Sequence, residues 1–159
     1  MVLAAYLGAV VLANWTSNRW PALPVGNLEI PAGTLAAGFT FVLRDLVHDR
    51  LGGRAALAAI VVGTAVSWLV ASPRIAAASA AAFAVSEAAD LAVYIGLRRR
   101  SRLVAMVASN LAGLVIDSLV FVPLAFGSWA AIEGQLAGKS AATVIAVTGV
   151  VVSRRSPWR

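Results

Sequence analysis

Glu87, Asp90 and Asp117 are carboxylates set in runs of Ala, Val, Leu, Ile, Phe and Gly that are long enough to cross a bilayer. A charge at the centre of a membrane helix costs about 2.5–3.5 kcal/mol even on insertion scales, so each acid needs a partner or water. Groups of this kind either tie helices together or line a path for substrate or ions. Lys139, the only lysine in the chain, stands in a further apolar run. Measured by helical rise, Asp117 and Lys139 each lie about 22 Å from the arginine-rich end of their helices. An ion pair between them removes much of the cost of burying either one, and serves as a structural tie or as a switch linking binding to helix movement.

Phe83, Glu87, Asp90 and Tyr94 recur at helical spacing and share one face. Two acids framed by two aromatic rings suit a flat heterocycle with several N–H donors, the carboxylate accepting paired N–H bonds while a ring stacks on the face. Packing against neighbouring helices accounts for either aromatic taken alone. In the next apolar run Asn110, Gly113 and Asp117 share a face, and Asn110 and Asp90 both lie about 12 Å in from the arginines, a depth at which they can meet. Gln135, Lys139 and Thr143 form a polar stripe, while Asn14 and Asn18 add amides near the start of the chain. In FVLRDLVHD, Arg44 and Asp45 lie deeper than His48 and Asp49 and are placed to form an inner gate.

The elements that position these groups are membrane helices. Of 159 residues 60% are apolar and 13% charged, with a mean hydropathy of +0.86. A soluble domain of this size exposes too much surface to hide so much hydrocarbon. The reading is an all-α, polytopic integral membrane protein forming one domain over residues 1–159. Its six spans cover about 1–19, 31–48, 54–71, 75–97, 103–126 and 133–152, each long enough for a hydrocarbon core of about 30 Å. The segment from Trp20 to Ile30, with two prolines and Gly26, reads as a loop, and Pro123 is expected to kink or end the fifth span. The opening MVLAAYLGAVVLANW has no basic leader region and reads as the first span rather than a cleaved signal peptide.

Net charge is +6, but its placement argues against nucleic acid. Arg50, Arg54, Arg98, Arg99, Arg100, Arg102, Arg154, Arg155 and Arg159 fall on one side of the six-span topology, whereas Arg19 and Arg74 fall on the other. The arginine-rich side is cytoplasmic by the positive-inside rule, which puts both termini in the cytoplasm. Cysteine is absent and His48 is the single histidine, so neither a thiolate centre nor a protein-built zinc site is expected. No metal or other cofactor is called for.

With RD late in the second span, SEAAD followed by a Tyr and an arginine cluster, SNLAGLVIDSLVF, and GQLAGK, the chain resembles the VUT or YhhQ family of queuosine-precursor transporters from about Asn14 to Lys139. The resemblance implies a six-helix protein of the cell inner membrane importing 7-deazaguanines such as 7-cyano-7-deazaguanine and its aminomethyl relative. By motif match Asp45, Asp90, Asp117 and Lys139 correspond to intramembrane polar positions of that family, and Glu87 stands where Gln or Glu is carried. On this reading Glu87 or Asp90 binds the pyrimidine-ring N–H groups of the heterocycle with help from Asn110. Asp117 and Lys139 organise the cavity, with Gln135, Asn14, Phe83 and Tyr94 completing the substrate-binding set and Arg44 and Asp45 gating it. Gly- and Ala-rich helix faces suit a homodimer.

Two other readings compete. A substrate-binding subunit of an ATP-energised vitamin importer would use AAYLGA of the first span as a docking face. A membrane enzyme acting on a lipid ranks below both, because no acidic metal cluster and no nucleophile beside a base can be recognised.

Overall fold

In hydrocarbon each backbone polar group must be satisfied within its own segment, and the apolar runs fold into helices accordingly. The computed structural model describes residues 1–97 and 99–155. It contains α1 (Val2–Arg19), a hairpin of β1 (Leu23–Val25) and β2 (Leu28–Ile30), α2 (Thr34–Leu51), α3 (Gly53–Val70), α4 (Pro73–Leu97), α5 (Arg102–Phe126) and α6 (Ile132–Arg155). Of the arginines that set the expected orientation, Arg98 and Arg159 lie outside the described residues, as do the side chains of Arg102, Arg154 and Arg155.

Local chemistry explains where the helices begin and end. Pro31 does not enter α2; it accepts a turn hydrogen bond of 2.9 Å from the Thr34 amide, and the helix starts there. Pro73 instead takes the first position of α4, where its missing N–H costs nothing. The polar turn expected over residues 49–53 contracts to Gly52, whose φ of 85° only glycine adopts readily. Helix α5 runs through Pro123 and stops at Gly127, in the left-handed conformation, whose amide donates to the Pro123 carbonyl at 2.8 Å. Arg74 Nε donates to the Leu124 carbonyl at 2.8 Å and satisfies another free acceptor of the last turn.

The segment expected to be a plain loop carries the antiparallel hairpin, with Leu23 opposite Ile30 and Val25 opposite Leu28. Gly26 and Asn27 form its two-residue turn, Gly26 at a φ of 60°. A Gly-Asn pair between short apolar runs is a hairpin signal, outweighed in the sequence by the flanking prolines.

Helices α3 and α4 and residues 107–126 of α5 are long and apolar enough to cross a membrane on length and composition alone. In α1, α2 and α6 the apolar character is diluted by residues turned inward: Asn14 and Ser17, Thr34 and Arg44, Gln135 and Lys139 are all buried. The exterior is correspondingly apolar, with Leu57, Val61, Leu69, Val107, Leu111, Val144 and Ile145 exposed. A surface of aliphatic side chains around an interior of amides, hydroxyls and ions is an arrangement suited to lipid.

Two apolar clusters hold the bundle. Ile75, Ala78 and Ala82 of α4 pack with Phe121, Val122 and Ala125 of α5 and with Ala131. Tyr6, Val47, Ala56 and Ala59 join α1, α2 and α3. Glycines set the closest approaches. A Cβ on Gly38 would press into Lys139 and Ala142 of α6, and one on Gly134 would overlap the Glu29 carbonyl, so the hairpin lies directly on the start of α6. Gly134→Ala is therefore expected to destabilise the purified protein by about 1–3 kcal/mol. Gly8→Ala, where a Cβ meets nothing within 4 Å, should be neutral or slightly stabilising, and thermal melting in detergent compares the two.

Candidate functional site

Polar side chains from α1, α2, α5 and α6 converge on one cavity near the bundle axis. Asn14, Thr40, Gln135, Asp117 and Lys139 contribute polar groups to its wall, and Tyr6, Phe41, Phe83 and Phe121 contribute rings. About 60 Å³ is open to the centres of water molecules, room for a handful of waters. By helical rise, Asn14 lies about 8 Å and Asp117 about 14 Å in from the hairpin end of the bundle.

Lys139 anchors the site. It is 1% exposed, its Nζ is ion-paired with Asp117 Oδ2, and the ammonium lies 5.7 Å from the ring centroid of Phe41 and 5.9 Å from that of Phe121. Removing the ammonium from water is offset by one full counter-charge and two aromatic faces.

The amides are fixed from one side only. Asn14, 3% exposed, donates from Nδ2 to Ser67 Oγ at 3.1 Å, to Ser79 Oγ at 3.4 Å and to the Val10 carbonyl at 3.0 Å. Ser67 in turn donates to the Gly63 carbonyl at 2.8 Å, which fixes the direction of the chain. Gln135 Oε1 accepts from Thr34 Oγ1 at 2.6 Å. Among the described residues nothing donates to Asn14 Oδ1 or accepts from Gln135 Nε2, yet neither is a sealed, unpartnered atom. One acceptor and one NH₂ donor are thus left for whatever occupies the cavity.

A second ionic cluster lies on the Arg50 side of the cavity. Arg44 of α2, 8% exposed, donates to Asp45 Oδ1 from Nη2 at 2.6 Å and from Nε at 3.0 Å, and pairs through Nη1 with Glu87 of α4. Its guanidinium carbon is 6.0 Å from the centroid of Phe41, the ring that also faces Lys139. One aromatic ring is therefore shared by the two cations.

This geometry revises part of the expected site. Glu87 belongs with Arg44 and Asp45 rather than with a substrate cavity shared with Asp90. Asp90, Asn110 and Tyr94 are outside the lining of the cavity, whereas Phe83 is in it. Asn110 and Asp90 lie at similar depth but do not face one another, because Asn110 points outward and is exposed. The α5 residue against Asp90 is Gly113, where a Cβ would come 3.5 Å from the Asp90 Cβ. Ser109, one position before Asn110 and about 100° around the helix, is the buried one of those two. Asp90 Oδ1 is buried without a hydrogen-bond partner among the described residues.

Residues 67–153, more than half of the chain, match the family described as "Putative vitamin uptake transporter". The chain belongs to this family. No curated protein and no solved structure matches it. The matched stretch of the transporter contains Glu87, Asp90, Asn110, Asp117, Gln135 and Lys139, while Asn14, Arg44 and Asp45 precede it.

Other parts of the transporter's site escaped the sequence reading. Phe41, Phe121 and Tyr6 stand inside FVLRDLVHD, SNLAGLVIDSLVF and AAYLGA, where other features carry the reading, Thr34 stands in none of these, and the role of all four depends on which helices are neighbours. The one available signal was register: Phe41 precedes Arg44 by three residues and so lies on the same face of α2.

Breaking a buried ion pair from one side leaves an uncompensated charge. Lys139→Met is expected to destabilise the transporter by about 3–5 kcal/mol, and Asp117→Asn by a similar amount. The double variant should recover a large part of that loss. Unfolding of the four proteins in one detergent measures the coupling, and additive losses would show that the two side chains do not depend on each other.

Proposed function

We propose that this transporter imports a 7-deazaguanine precursor of queuosine, such as 7-cyano-7-deazaguanine, through the cavity of Asn14, Gln135, Asp117 and Lys139. The observation that carries the reading is the pair of unused amide groups on the wall, set beside an ion pair. Asn14 Oδ1 accepts, Gln135 Nε2 donates, and Asp117 and Lys139 supply one charge of each sign. A guanine-type edge presents N–H donors beside a carbonyl acceptor, and this wall complements both while Phe41, Phe83 or Phe121 covers the flat face.

The same proposal places six spans in the cell inner membrane with both termini cytoplasmic, the arginine distribution being its support. The Arg44–Asp45–Glu87 cluster then lies between the cavity and the cytoplasm and acts as the inner gate. Gly- and Ala-rich faces would support a homodimer. Asp90 and Asn110 have no direct place in binding on this account.

Uptake of labelled 7-cyano-7-deazaguanine by proteoliposomes holding only the purified protein is the direct test. Wild-type protein should accumulate the compound without an ATPase partner. Gln135→Leu should cut uptake about tenfold, the effect of losing one buried hydrogen bond of about 1.4 kcal/mol. Asn110→Ala should transport near the wild-type rate. Uptake that persists in Gln135→Leu and collapses in Asn110→Ala would move the site to the other face of α5.

A further inference from the structure

A second, larger chamber opens at the hairpin end of the bundle, with about 380 Å³ available to water centres. Its wall includes Arg19, Trp20 and Glu29, with Phe126 from the end of α5. Two observations join it to the inner cavity. Ser17 of α1 lines both spaces, and beside it Pro31 and Ala32 line the outer one while Gly33 lines the inner. A Cβ on Gly33 would overlap Ser17 Oγ and the Ala13 carbonyl, so Gly33 lies directly on α1 and its contact with Ser17 closes the way between the two spaces.

The aromatic residues make the same connection. Phe126 of the outer chamber meets Phe121 of the inner one edge to face, with ring centroids 5.7 Å apart. Trp20, in the wall of the outer chamber, meets Trp15 edge to face with ring centroids 5.0 Å apart. The outer chamber thus repeats the chemistry of the inner cavity in a wetter setting: aromatic faces, one carboxylate and one cation.

We infer that the outer chamber is a first docking station for a flat heteroaromatic compound bearing both N–H donors and a carbonyl, and that Ser17 and Gly33 form the neck through which it passes inward. The inference rests on the transport reading above for its substrate, but the route can be tested without any substrate. Glu29 takes the N–H edge, Arg19 the carbonyl, and Trp20 or Phe126 the ring face.

The chain has no cysteine, so single-cysteine variants report on single positions. Ser17→Cys, Ala22→Cys in the outer chamber wall, Asn27→Cys at the hairpin tip and Ser118→Cys in the core are exposed in intact spheroplasts to a membrane-impermeant methanethiosulfonate. Ser17→Cys, Ala22→Cys and Asn27→Cys should be labelled, whereas Ser118→Cys should not, since Ser118 is fully buried and lines neither chamber. Labelled Ala22→Cys should lose uptake of 7-cyano-7-deazaguanine, while labelled Asn27→Cys keeps it. Protection of Ser17→Cys alongside labelled Asn27→Cys would overturn the neck, and full uptake through labelled Ala22→Cys would overturn the docking station. If unmodified protein takes up none of the compound, the proposed substrate fails, and the labelling of Ser17→Cys still decides whether the outer chamber is open from outside as far as the neck.

Discussion

A lysine ammonium in the middle of a hydrocarbon slab has to find a carboxylate, and here Lys139 has Asp117. The pair joins α5 to α6, but it also dictates what surrounds it. Gly38 and Ala142 let α2 lie close on α6, which brings Phe41 over the ammonium. Phe41 then presents its ring to Arg44 as well, so the helix covering the lysine is also the one carrying the second cation. Arg44 needs its own counter-charges and takes them from Asp45 beside it and Glu87 on α4. Two ion clusters, four helices and one shared ring follow from the need to leave no buried charge alone.

The clusters sort by depth. From the hairpin end come the outer chamber, Ser17 in the lining of both spaces, the inner cavity with its free amide groups, and last the Arg44 cluster. The sequence of spaces is asymmetric: the inner cavity adjoins a chamber on the hairpin side and is covered by ion pairs on the other. A transporter must exchange such an arrangement for its opposite, and a ligand drives the exchange only by binding the two states differently. Asp117 and Lys139 are suited to that task because a polar substrate bound beside them would compete for the same charges that hold α5 to α6.

Depth was legible in the sequence and azimuth was not. A rise of about 1.5 Å per residue places Asp117 and Lys139 at one level, and because each is the costliest group there, each has reason to turn toward the other. The same arithmetic places Asp90 and Asn110 at one level, yet an amide can remain at the lipid boundary where a lone ammonium cannot, and Asn110 faces out. Glu87 failed differently. Its i+3 relation to Asp90 is real, but a helix face spans enough arc for two neighbours, and Arg44 of α2 reaches Glu87 while Gly113 of α5 meets Asp90. The hairpin was missed because the prolines around Gly26 and Asn27 argue for a loop, although Pro24 sits in a two-stranded ribbon where its missing donor faces no central strand.

The size of the inner cavity bears on how the parts must move. Space for a handful of waters does not hold a molecule the size of a vitamin, so occupancy by one requires the wall to part. The α4–α5 pair is joined by Ile75, Ala78, Ala82, Phe121 and Val122, and separating it would expose that apolar cluster to the path. Helix α2 is held through Val47 in the smaller apolar cluster, through close glycine contacts at Gly33 and Gly38 and through the Arg44 pairs. Contacts between small residues slide without uncovering large apolar area, and ion pairs can be exchanged when water or a polar ligand arrives. Because Phe41 in the cavity wall and Arg44 at Glu87 stand on the same helix, any displacement of α2 would move both together.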